Sequence, residues 1–321
     1  MLTKLLLRLV KDPTPYESGH ADAMGHGPTI EALDDLQNHG SYRVVARYLS
    51  NETDSAARQL CMDVVGRDLP RNDVIMRWVH EQPDDANALI VAGLQAIRLA
   101  WQARSGARAK HVRKDQWQGF AEYLYLAQEI LDHAVHLAPD DPMIHASLII
   151  VDCGMGRSTD VAMGRMAKIR KSDPAHFTGY SNLLMMCCDK WCGSHELMFK
   201  IARSPNLDKQ GRENLGALIP IAHVERPLFE PERARADYWA QPSVAAEIAD
   251  AFDRGIGKPG FQGDALTPVA ANTFAGAFFP LQDQERCQRA HRIIDGRFHH
   301  RAWVYFGGER AFTASRKWCG A

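Results

Sequence analysis

The stretch SNLLMMCCDKWCGSHELMFKIA, residues 181–202, places Cys187, Cys188, Cys192 and His195 within nine residues. Thiolate and imidazole are zinc donors, and a structural zinc site takes four of them, usually as two separated pairs with two to four residues between members. Adjacent Cys187 and Cys188 would point about 100° apart on a helix. Cys188 and Cys192 stand one turn apart, and His195 could close a three-ligand set. An elbow between two helices explains more of the same residues. Leu183, Leu184, Met186 and Cys187 fill an apolar face, and Trp191 packs at the helix end. Gly193 supplies a left-handed turn, and Ser194 caps the next helix with Glu196 in its first turn. Architecture is therefore preferred here to a metal or a redox thiol.

A second candidate is EILDHAVH, which carries Glu129, His133 and His136, the first two at i and i+4. That is a metal-ligand spacing on a helix, and a carboxylate-bridged di-iron site would need further donors such as Glu122, Asp132 and His145. The same side chains suit the outer polar face of a second helix in a hairpin. His299 and His300 in RFHHRAW are adjacent and so project in different directions. GIGKPGFQG lacks the spacing and the Ser/Thr of a phosphate-binding loop, and no Gly-x-Ser-x-Gly occurs.

The elements that carry these residues are helical. From Thr29 onward apolar residues recur at three and four, as in Phe120, Leu124, Ala127, Leu131 and Ala134, and strand-like alternation is scarce. Three boundaries repeat one form: EQPDDANA, LAPDDPMIHA and KSDPAHFTGY. Each ends one helix at a proline and opens another within a few residues. Pro139 to Pro174 is 35 residues, close to the ~34 of a tetratricopeptide-type hairpin. Pro83 to Pro139 is 56, which predicts an insertion at the basic segment 107–116, read as a solvated loop or a continuation of the helix in preference to an anion-binding patch.

Ala127, Leu131, Ala134 and Pro139 fall on tetratricopeptide spacing, and Ala162, Met166 and Pro174 repeat it in part. More specifically, FAEYLYLAQEILDHAVHLAPDDPMIHASLIIVDCGMG followed by KWCGSHELMFKIAR resembles an uncharacterised bacterial family of tetratricopeptide-like proteins, a domain of unknown function. That family often has Lys/Arg-Trp-Gly-Gly-Ser-x-Glu at the equivalent turn, where this chain has Cys192 for the first glycine. The resemblance covers about residues 75–205 closely and the rest loosely. It implies a fold and no activity.

The expected architecture is all-α, an irregular tetratricopeptide-like helical-hairpin array forming an α-α superhelix. It comprises an N-terminal arm at 1–28, hairpin repeats at 29–254, a Gly-rich loop at 255–266 and a C-terminal capping hairpin at 267–321 packed on the same array. Phe274, Phe278, Trp303 and Phe306 face inward in that cap. A chain of 321 residues exceeds the usual single core, which an array does not need. With 38 basic and 39 acidic residues, no global field draws it to nucleic acid. No apolar run is long enough to span a membrane, and seven cysteines without a secretory leader suit a reducing cytoplasm.

The expected function is a non-catalytic interaction scaffold for a protein or peptide partner, with no cofactor. Tyr180, His145, Trp191 and His195 are the expected contacts. The alternative is a metal-binding protein or metal-dependent enzyme using Glu129, His133 and His136, or Cys188 and Cys192 with their neighbours. Leu2, Leu5, Leu6 and Leu9 form a helical stripe that a second copy would bury as well as the same chain.

Overall fold

The helices of this chain start where short polar side chains can satisfy their first amides. Asp54, Asp85, Asp141, Ser194 and Asp283 each accept a hydrogen bond from a backbone N–H in the first turn that follows. The computed structural model describes residues 23–68 and 71–321. Among them are seventeen α-helices and no strand. No described helix is long and apolar enough to cross a membrane. Most of the expected arm, and with it the leucine stripe of residues 2–10, lies outside the described residues. At the described end of that arm Ala23 and Met24 are buried.

The chain divides into two compact units, Met1–Met186 and Cys187–Ala321. In the first, helices run as α1 (Gly27–Asn38), α2 (Arg43–Asn51), α3 (Ser55–Asp63) and α4 (Asn72–Glu81). Three longer pieces of hairpin follow: α5 (Ala86–Arg104) with α6 (Lys114–Leu137), α7 (Pro142–Gly154) with α8 (Thr159–Ser172), then α9 (Phe177–Met186). The three similar boundaries form one turn. Asp85 N–H reaches Gln82 O (3.1 Å), Asp141 N–H reaches Ala138 O (3.2 Å) and His176 N–H reaches Asp173 O (3.4 Å).

Those turns are aligned side by side, because one helix touches all three. Arg58 on α3 donates to Asn87 Oδ1 (3.0 Å) at the start of α5 and pairs with Asp141 (2.6 Å) at the start of α7. The next residue, Gln59, accepts at Oε1 from the Thr178 N–H (3.0 Å) of α9, and one turn back the Ser55 hydroxyl donates to Asp173. Within each hairpin the packing is tight. A Cβ on Gly93 of α5 would stand 2.7 Å from Leu131 of α6. Asp152 of α7, fully buried, holds Arg157 (2.7 Å) and Arg165 of α8. The 56-residue spacing is explained by length: α5 and α6 have 19 and 24 residues, and only a short, mostly exposed connection joins them.

The second unit contains α10 (His195–Ala202), a 3-10 turn (Glu213–Ala217) leading into α11 (Leu218–Glu225), α12 (Glu232–Trp239) and α13 (Pro242–Arg254). It ends with α14 (Thr267–Leu281), α15 (Gln284–Ile294), the short α16 (His300–Trp303) and α17 (Gly308–Cys319). Its core is α14, whose residues are buried on every side from Thr267 to Phe278. Phe274 and Phe278 close on Phe252 of α13 at 5.1 and 5.2 Å between ring centres. Trp303 is fully buried, as its spacing predicts, while Phe306 is half-buried. Asn272, a polar side chain fully buried on α14, is fully engaged. Its amide donates to Pro268 O and Arg297 O, and its oxygen accepts from His299 N–H and the Trp303 indole.

The unit boundary falls at the elbow, and the Gly-rich stretch 255–266 lies inside the second unit. That stretch is pinned at both ends, by Lys258 against Glu213 (2.5 Å) and by Asp264 accepting from Asn214 (2.8 Å) and from the Thr267 N–H of α14 (3.1 Å).

Candidate functional site

The elbow forms its own hydrogen-bonded knot. Trp191 N–H and Gly193 N–H both donate to Cys188 O (3.0 and 3.3 Å), and Ser194 N–H donates to Cys187 O (3.1 Å). A Cβ on Gly193 would stand 2.0 Å from the Cys187 carbonyl oxygen, so close backbone approach demands glycine here. Its φ is not positive, which corrects the left-handed role expected from sequence. Ser194 caps α10 as expected, its hydroxyl accepting from Leu197 N–H (3.2 Å).

The elbow's thiols are packing groups. Cys187 and Cys188 are buried, and Cys188 Sγ lies 3.4 Å from Met198 Sδ. Burial pushes the Cys187 thiol up to about 11 and raises Cys192 as well. Both are therefore protonated at neutral pH, whereas thiolate is the nucleophile. Cys188, Cys192 and His195 do not gather into a three-donor set among the described residues, nor do Glu129, His133 and His136. The latter lie along α6 with Glu129 and His136 exposed, and His136 Nδ1 is satisfied by its own helix at Asp132 O (2.6 Å).

What the elbow does build is a pocket of about 140 Å³. It is lined by Cys188, Asp189, Lys190 and His195 from the elbow, Met198 from α10, and Glu225, Arg226, Phe229 and Glu230 from the end of α11 and beyond. Lys190 and Glu225 form an ion pair at 2.6 Å with Glu225 almost wholly buried. Burial alone would favour the neutral amine, but the neighbouring carboxylate outweighs it and holds the ammonium above its ordinary range. Arg226 reaches Glu230 at 3.4 Å on the rim. His195 Nδ1 is buried and has no hydrogen-bond partner. The Lys190 ammonium also stands 5.7 Å from the centre of the Tyr305 ring.

This pocket sits in an apolar frame. The large hydrophobic side chains exposed in the second unit are Phe229 (57%), Val304 (50%) and Tyr305 (48%). Phe229 lines the pocket and Tyr305 flanks its lysine. Charged groups on the floor and exposed aromatics at the edge suit recognition of another surface.

Of the contacts expected from sequence, His195 lines the pocket and Trp191 is half-buried in the elbow. His145 and Tyr180 lie elsewhere, buried in the first unit. His145 Nε2 donates to Pro139 O (2.7 Å), and the Tyr180 hydroxyl accepts from Arg170 (3.1 Å). Sequence reading missed Lys190, Glu225, Phe229 and Tyr305. Lys190 belongs to the KWCGSHE motif, but no local spacing links it to a carboxylate 35 residues on. Compared with protein-family models, curated proteins and solved structures, the chain matches none.

Proposed function

We propose that this is a non-catalytic helical scaffold that binds a protein or peptide partner, and that the elbow pocket of the second unit is where it does so. The observation that carries the reading is the exposure of Phe229 and Tyr305 around the Lys190–Glu225 pair. Exposed aromatic rings beside a desolvated charge pair are the composition of an interface centre: the rings supply apolar area and the charges fix orientation. Asp189, exposed at the same pocket, favours a basic side chain on the partner. The tetratricopeptide-like resemblance supports the same class of function, since stacked hairpins serve as binding surfaces without catalytic groups. The seven cysteines, none of them in a disulfide, support a cytoplasmic setting.

The test is quantitative capture from native cells with the wild-type chain and with a Phe229→Ala/Tyr305→Ala double variant. Both side chains are about half exposed, so the variant keeps its fold. Loss of two hot-spot rings costs about 2 kcal/mol or more, a drop of roughly 30-fold or greater in partner retained. An unchanged set of co-purifying proteins, at unchanged yield, refutes the site.

A further inference from the structure

Three soft donors meet in the core of the second unit, far in sequence from the elbow. Cys287 and His291 stand at i and i+4 on α15, and Cys319 is the last residue of α17. The two sulfurs and one imidazole nitrogen all lie within 4.8 Å of one another. All three residues are buried. The surroundings hold the imidazole by one nitrogen and leave the other over. His291 Nε2 is 2.7 Å from Ser315 Oγ, whose own hydrogen goes to Phe312 O (3.1 Å), while the buried Nδ1 has no partner at all. Phe312 and Trp303 wall the ring at 5.3 and 6.2 Å between centres.

We propose that Cys287, His291 and Cys319 supply three donors of a zinc site that staples the C-terminal helix α17 to α15, with a water molecule as the fourth ligand. The donor types select the metal class, because thiolate with imidazole suits zinc or copper(I) and disfavours magnesium or calcium. Charge then chooses between the first two. Zinc(II) with two thiolates and a neutral imidazole sums to zero, whereas copper(I) leaves a net negative charge in a core that cannot solvate it. Binding releases one proton from each thiol. Ser315, hydrogen-bonded to the imidazole, is placed as the outer partner that fixes the ring. The one-turn spacing of Cys287 and His291 lets a single helix deliver two donors, and α17 brings the third.

The test uses the full chain without a histidine tag, purified under reducing conditions and titrated with cobalt(II) as a spectroscopic stand-in for zinc. Expected are about one zinc per chain on elemental analysis, and a thiolate-to-cobalt charge-transfer band with intense tetrahedral d–d bands. Zinc should displace these bands. They should be lost in Cys287→Ser and in Cys319→Ser and kept in Cys192→Ser. If a core variant fails to fold, the wild-type titration still decides. Absence of the charge-transfer band from wild-type protein overturns the site, as does its survival in a Cys287→Ser/Cys319→Ser variant. Recovery of a Cys287–Cys319 disulfide as the sole form from freshly lysed native cells does so equally.

Discussion

Single side chains in this protein act by closing helix ends. His176 precedes α9, is fully buried, and its Nδ1 accepts the N–H of Gly179 at 3.0 Å, so an imidazole does the work usually left to Asp or Asn. Burial, the largest effect, lowers its pKa. Asp173, Asp141 and Asp63 pull the other way, and Arg58 adds to the lowering. A proton on Nδ1 would remove the acceptor and set a cation at the positive end of the helix. The unfolded histidine titrates near 6.5, and the folded one does so lower. The unfolded state thus binds more protons in between, so stability is complete above 6.5 and declines as pH falls below it. Denaturant unfolding at a series of pH values should show this slope. His176→Asn, which keeps an acceptor for Gly179, should make it shallower, leaving the part due to His26, His145 and His291, whose burial also lowers their pKa, and an equal slope in the variant would exclude His176 as a source.

At the scale of elements, hairpin geometry turns on where a missing side chain lets two helices meet. Gly93 of α5 lies against Leu131 of α6, with no room for a methyl group, whereas a methyl on Gly164 of α8 meets nothing within 4 Å. The two substitutions to alanine should therefore differ in sign. Gly93→Ala should destabilise by about 1–3 kcal/mol through overpacking. Gly164→Ala should stabilise by about 0.5–1 kcal/mol through helix propensity and lost unfolded-state freedom. Denaturant midpoints at constant slope measure both, and a neutral Gly93→Ala would deny the close crossing.

The helices themselves were legible because their signals are local: three-and-four spacing, Asp before a first turn, proline after a last one. The seating of Ser194 as a cap and of Phe274, Phe278 and Trp303 in the core followed from the same short-range pattern. The reason for Gly193 was not legible, since it depends on a carbonyl six residues back approaching its Cα. Nor was the burial of His145 and Tyr180, which depends on neighbours brought in by other hairpins. The pocket was hidden for the same reason: Lys190, Glu225, Phe229 and Tyr305 are joined only by the packing of the elbow, α11 and the C-terminal segment.

At the scale of the molecule, two compact units divide at the elbow, and each has its own apolar interior. In the first, the turns of three successive hairpins are tied by Ser55, Arg58 and Gln59 of one crossing helix, which fixes their order. In the second, α14 is enclosed by its neighbours and the elbow pocket opens at the surface with its aromatic frame. That frame is the proposed contact surface. Its most direct measurement is site-specific photo-crosslinking in native cells, with a photoreactive phenylalanine analogue at position 229 or 305 and, as control, at the still more exposed Tyr125 of α6. The account predicts a discrete protein adduct shared by 229 and 305 and absent at 125. No adduct at either position, or the same adduct at all three, would contradict it.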